Sequence, residues 1–142
     1  MSSDREPIKV VRTIGAAANT GGVEFPLLAA GSNHIRICGL EMLDSAGLSG
    51  ATGSAYAEFT AYNKGLAGTS SVTVATRKNN AAADYVGAFT PWAITLSTTK
   101  ANLQLQPGEA LTLKVGGSGA NGTLSAQSVC VIEYAIGDGG GQ

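Results

Sequence analysis

The chain has 142 residues and suits one domain, since domains usually hold roughly 100–200 residues. Hydrophobic residues make up 44% of it and charged residues 13%, about half the usual share of roughly 25%, which excludes wholesale disorder. Nine Lys and Arg against ten Asp and Glu give a net charge of −1, so no broad polycationic surface exists to hold nucleic acid.

Residues 1–7 read as a polar lead without an apolar core, so no secretory signal is expected. No apolar run approaches the ~20 residues of a membrane-spanning helix, and no membrane partner is expected. Residues 8–14 (IKVVRTI) are β-prone but short, and small residues follow over 15–22. This pattern predicts an N-terminal arm, 1–22, that pairs where a sheet edge is offered. Ile8, Lys9, Val10, Val11, Arg12 and Ile14 are then the candidate contacts to a shell or to a sister subunit. The alternative is an ordinary first strand of the domain.

A domain is expected over 23–136. Residues 23–28 are apolar around Pro26, which suits an edge strand or bulge. Residues 34–43 (HIRICGLEML) put Ile35 and Ile37 on one face and Cys38, Leu40 and Met42 on the other, with Gly39 between them as a bulge position. Residues 55–63 alternate cleanly: Ala57, Phe59 and Ala61 point one way, Tyr56, Glu58, Thr60 and Tyr62 the other. Val72 and Val74 alternate with Thr73 and Ala75, and a single helical turn fits residues 81–84. Trp92, Ile94 and Leu96 repeat the period of two. Leu103 and Leu105 lead to Pro107-Gly108, a turn pair, and Leu111, Leu113 and Val115 suit a return strand, so a hairpin is expected there. Residues 128–136 set Cys130, Ile132, Tyr134 and Ile136 against Val129, Val131 and Glu133. Residues 137–142 (GDGGGQ) form a Gly-rich tail that packs nothing.

No i, i+3, i+4, i+7 stripe persists for three turns, so no long helix is expected. About eight strands at 8–12-residue spacing predict an all-β antiparallel sandwich, jelly-roll-like, with Phe59, Trp92, Ile94, Leu111, Leu113 and Ile132 in one core. Apolar residues on both faces of 34–43 and 128–136 point to a covered outer surface, hence to self-association.

Chemistry-bearing residues are sparse. His34 is the one histidine and has no G-x-S-x-G elbow to serve. With Cys38 and Cys130 it makes three unclustered side chains, too few for zinc, and no D-x-D cluster suggests calcium. Both cysteines read as small hydrophobes in a reducing compartment. Residues 117–122 (GSGANG) spell G-x-G-x-x-G, but β-patterned sequence follows where a dinucleotide site needs a helix. Asn121-Gly122-Thr123 reads as an Asn-Gly turn rather than a glycosylation site. No metal, cofactor or enzymatic activity is therefore expected. Tyr56, Tyr62, Arg77 and Lys78 are candidate surface contacts; the bland readings are cross-strand packing for the tyrosines and a solvated turn for the cations.

The run AYAEFTAYNKGLAGT over 55–69, then SVTVATR and ITLSTTKANLQLQPGEALTLKV, resembles the small β-sandwich decoration (cement) proteins of tailed-bacteriophage heads. The elements that carry it are Asn63-Lys64-Gly65, Gly68-Thr69, the valine-rich strand at 72–77, residues 94–98 and 101–103, and Gly108-Glu109. The resemblance covers residues 54–134, a little over half of the chain. It implies a jelly-roll-like fold, a homotrimer, the major capsid protein as partner, and a place on the capsid exterior after assembly in the bacterial cytoplasm. It carries no catalytic motif. The competing reading is a carbohydrate-binding jelly roll, a host-glycan adhesin on the virion that uses Tyr56, Tyr62 or Tyr85.

Overall fold

The structure, a computed structural model, describes residues 7–14, 23–45, 56–80, 87–118 and 128–137. Ten strands follow in order: β1 (Ile8–Thr13), β2 (Val23–Ala29), β3 (His34–Asp44), β4 (Tyr56–Asn63), β5 (Val72–Lys78), β6 (Trp92–Ala93), β7 (Thr95–Leu96), β8 (Gln104–Leu105), β9 (Ala110–Ser118) and β10 (Ser128–Gly137). A 3₁₀ turn, Lys100–Leu103, precedes β8. Sheet I runs β1-β10-β3-β6, with β8 also on β3, and sheet II runs β2-β9-β4-β5-β7. All pairings are antiparallel.

Counted as one broken strand, β6 to β8 is the sixth of eight. One sheet then holds the first, eighth, third and sixth strands, and the other the second, seventh, fourth and fifth. That is the strand order of a jelly roll, two Greek keys wrapped face to face. The core lies between the sheets, where Phe59, Trp92, Ile94, Leu111, Leu113 and Ile132 are each 2% exposed or less. The period-two pattern places all six inside, because successive side chains of a strand alternate between its faces.

The expected arm is the edge strand of the chain's own sheet. β1 pairs with β10 from Ile8↔Tyr134 to Thr13↔Val129, so the sandwich begins at Ile8 rather than at residue 23. Without β1, β10 would itself be an open edge. Ile14 is buried, and Arg12 Nε donates to Leu27 O at 2.7 Å, joining β1 to β2 in the other sheet. Gly137, assigned to the tail, still pairs with His34. Residues 138–142, 15–22 and the turn expected at 81–84 lie outside the described residues.

Two further corrections have local causes. Pro107-Gly108 makes the expected turn, with Gly108 at φ 90° and Glu109 N–H donating to Gln106 O at 3.0 Å. The turn does not close a hairpin: β8 pairs with β3 in sheet I, whereas β9 pairs with β2 and β4 in sheet II. Turn residues reverse the chain but do not say which sheet receives it. Leu103, expected with Leu105 in the first strand of that hairpin, belongs to the 3₁₀ turn.

In β3 the pairing skips Cys38, since Gly39 faces Glu133 and Ile37 faces Tyr134. This bulge turns Ile35, Ile37, Leu40 and Met42 to the same face, and all four are buried. The two apolar faces read from residues 34–43 are therefore one face, shifted in phase. A second register shift, opposite Ala61/Tyr62, buries both Val74 and Ala75 and leaves Val72 at the surface.

The sixth strand is broken because it weaves between the sheets. β6 lies on β3 at Glu41 and Met42, β7 crosses to β5, and β8 returns to β3 at Ile35 and Arg36. Arg77 holds this crossing: Nη1 donates to Ala93 O at 2.8 Å, and the guanidinium lies 4.4 Å from the Trp92 ring centroid. Trp92 in turn meets Phe59 edge-on, with ring centroids 5.2 Å apart.

Candidate functional site

The two outer faces of the sandwich differ in chemistry. On sheet II the outward residues are polar. Thr60 and Thr76 share a hydrogen bond at 3.1 Å, Lys78 Nζ sits 5.2 Å from the Tyr56 ring centroid, and Lys64 Nζ sits 5.7 Å from that of Tyr62. Glu24 accepts from Thr112 Oγ1 at 2.8 Å and pairs with Lys64 at 3.4 Å. The Thr112 hydrogen bond, and after it Lys64, outweigh burial and hold the Glu24 carboxyl below its ordinary value. This face carries charges of both signs and is built to be wetted.

Sheet I presents a different face. The residues that alternate with the buried Met42, Cys130 and Ile132 are Leu43, Val129 and Val131, all half-buried. The ladder aligns Val11 with Val131, Val131 with Glu41 and Glu41 with Ala93, and it sets Val129 against Leu43. Val11 is 59% exposed. The result is an apolar band of Val11, Val131, Val129 and Leu43 across β1, β10 and β3, which Glu41 separates from Ala93, with Lys9, Arg36 and Glu133 further along the face.

A groove of about 450 Å³ opens on this face. Its cause is the broken sixth strand. Ile94 N–H donates to Leu40 O at 2.8 Å, then the chain leaves for sheet II, and β8 rejoins only at Arg36. Between these points no described residue pairs with the flank of the bulged stretch of β3. Cys38, Gly39, Ala93, Leu96 and Val131 line the groove, with Lys9 and Glu133 at its rim. Glu133 lies across Gly39: a Cβ there would sit 3.3 Å from Glu133 Oε1, so the carboxylate would have to shift by a few tenths of an ångström. The Cys38 thiol is half-buried at the groove, whereas burial pushes the Cys130 thiol up to about 12.

One end of the sandwich gathers residues that the resemblance picks out. Asn63 Nδ2 donates to Glu109 Oε1 at 2.9 Å, and Asn63 Oδ1 accepts from Gly65 N–H at 2.9 Å. Glu109 Oε1 also accepts from Gln106 N–H at 2.7 Å, and Gly108 N–H donates to Gly31 O at 2.7 Å. Three loops are thereby tied together, and Leu66 stands out from them at 76% exposure. At the other end Phe89 is 54% exposed in a left-handed conformation, φ 52°.

The structure separates the residues marked from sequence. Lys9 and Val11 lie on the outer face of sheet I. Ile8 and Val10 face inward at its margin, and Arg12 and Ile14 serve the fold itself. Tyr56, Tyr62 and Lys78 lie on the polar face of sheet II, and Arg77 is engaged with Trp92 and Ala93. Tyr85 and Asn121 lie outside the described residues. His34 is partly buried, with no hydrogen-bond partner for its Nε2 among the described residues. Among those residues, too, no three His, Cys, Asp or Glu side chains gather as a metal site. Leu43, Cys38 and Ala93, which shape the outer face, drew no functional reading from sequence; the apolar residues on both faces of 128–136 were the signal for the band that Leu43 joins.

No protein-family model matches the sequence, and no curated protein matches it. Among solved structures, the chain is similar to the crystal structure of the infectious bursal disease virus VP2 subviral particle. Identity is 20% over 99% of this chain and 35% of that one, with a TM-score of 0.40. It is also similar to the structure of the Gx strain of the same virus, with 17% identity over 97% of this chain and 38% of that one, at a TM-score of 0.37. The chain spans little more than a third of the length of these capsid chains. Likeness this distant assigns no role, and the jelly-roll assignment rests on strand order.

Proposed function

We propose that the chain is a virion structural protein without enzymatic activity. In this reading it decorates and stabilises the capsid of a tailed bacteriophage, seating the outer face of sheet I on the outer surface of the major capsid protein. The observation that carries the reading is the contrast between the two outer faces. An antiparallel sandwich in water is expected to be polar on both. Sheet II is, while sheet I offers Val11, Val131, Val129 and Leu43 as one band that ends at Glu41. Contiguous apolar surface of this kind marks a site that another protein covers. The resemblance of residues 54–134 to capsid decoration proteins supplies the partner, and with it a place on the capsid exterior after assembly in the bacterial cytoplasm. The homotrimer that the resemblance implies is compatible with this seating but not required by it.

The test mixes the purified chain with capsids that lack it and sediments the particles. Val131→Lys puts a charge in the middle of the apolar band, whereas Thr76→Lys adds one to the polar face of sheet II. The expected result is that the unsubstituted chain and Thr76→Lys co-sediment, and that Val131→Lys melts normally but stays in the supernatant. Co-sedimentation of Val131→Lys overturns the proposed face. Failure of the unsubstituted chain to sediment, together with glycan binding that Tyr56→Ala or Tyr62→Ala abolishes, points to the adhesin reading.

A further inference from the structure

β1 is the last strand of sheet I, and no described residue pairs with its outer edge. The ladder identifies the backbone groups that face this edge. Ile14 N–H donates to Ser128 O at 2.9 Å, and the register continues through Thr13↔Val129. In an antiparallel ladder these bonds belong to every second residue. Ile8, Val10, Arg12 and Ile14 therefore turn their N–H and C=O groups toward β10, and Lys9, Val11 and Thr13 turn theirs outward.

Exposed edges are usually blunted by proline, bulges or charge. β1 has no proline, and its register with β10 is unbroken from Ile8 to Thr13. Of its two cations, Arg12 is drawn back to Leu27 O, which leaves Lys9. Val11, in the centre, is 59% exposed.

We propose that this edge pairs with the same edge of a second copy, antiparallel, about a two-fold axis at Val11. Parity and the number of outward pairs retained together select that register. Outward-turned backbone groups must meet outward-turned ones, and outer-face side chains must meet outer-face ones. Centring on Val11 pairs Val11 with the partner's Val11, Lys9 with the partner's Thr13 and Thr13 with the partner's Lys9, each pair exchanging two backbone hydrogen bonds. No like charges stand opposite each other. Centring on Val10 would retain only the pairs between Lys9 and Val11, and a centre between two residues would set inner faces against outer ones. The two-fold is perpendicular to the joined sheet, so the apolar bands of both copies face the same way and become continuous from Val131 through Val11 to the partner's Val11. The contact is isologous, as a closed dimer requires. The pairing is independent of the capsid reading, since it is measured with capsid absent.

The experiment uses the full chain alone, in light scattering and sedimentation across micromolar concentrations, and expects a dimer. Val11→Pro removes one outward N–H without touching the β10 ladder, and is expected to give a folded monomer with near-unchanged melting. Val11→Cys places two thiols at an exchanged pair with Cα atoms about 5.5 Å apart, within the disulfide range of about 4.4–6.8 Å. It is expected to give a doubled mass on a non-reducing gel, where the unsubstituted chain, with Cys38 and Cys130, gives the single mass. Lys9→Cys alone should not cross-link, and Lys9→Cys combined with Thr13→Cys should. A monomer at all concentrations overturns the proposal, as does any oligomer that Val11→Pro leaves intact. Should Val11→Pro fail to fold, the cysteine variants decide: no cross-link through Val11→Cys also overturns it.

Discussion

Trp92 shows how one side chain serves two roles. Its ring fills the core against Phe59, and its other surface carries the Arg77 guanidinium that holds the crossing strand. Trp92→Ala is expected to cost roughly 3–5 kcal/mol by cavity formation, measured by denaturant unfolding. A loss below about 1 kcal/mol would contradict the packing. The burial of Trp92 was legible from the period of two. The engagement of Arg77 was not, because an Arg-Lys pair before Asn79-Asn80 carries no sign of a ring that comes fifteen residues later. A smaller effect is expected at Glu24, whose folded pKa lies below its unfolded one. Its contribution is therefore complete above the ordinary glutamate range and lost as the pH falls through the lowered folded value. Because this carboxylate is about a third exposed, Glu24→Gln should cost at most about 1 kcal/mol at neutral pH. The difference from the unsubstituted chain should close in acid; a gap that widens in acid would contradict the assignment.

Elements were harder to read than residues where pairing is non-local. The strands and the polar face of β4 follow from local alternation, and the Pro107-Gly108 turn from local chemistry. The partner of each strand does not. β1 read as well as an arm as it did as a strand, since only β10, more than a hundred residues on, gives it a ladder. The bulge expected at Gly39 falls at its neighbour Cys38 and merges the two apparent faces of β3, because a one-residue slip exchanges inside for outside. Deleting residues 1–15 now has a definite expectation. β10 loses one of its two partners and Ile14 leaves the core, so stability should fall by about 3 kcal/mol or more, equivalent to about 10 °C of melting temperature. Unchanged melting would restore the arm.

At the scale of the molecule, the jelly roll and its core follow from composition and strand spacing, and the unequal faces only from the assembled sheets. Composition showed that charge is scarce, but not how it divides between the two outer faces. Pattern showed apolar residues on both faces of β10, but not that Val131 lies beside Val11 and lines the groove at β3. The same breaks that let the sixth strand close one side of the sandwich open the groove on sheet I. Closure of the fold and the shape of the outer face are thus one feature of the sequence between Trp92 and Leu105.

The measurement that bears most directly on this account is a cryo-electron-microscopy reconstruction of decorated capsids at a resolution that separates the two sheets. The expected map shows sheet I against the shell, with Val131, Val129 and Leu43 in the contact and the Tyr56–Tyr62 face of sheet II toward solvent. A map with sheet II on the shell and the Val131 band open to water, or with no density for the chain on the particle, would contradict it.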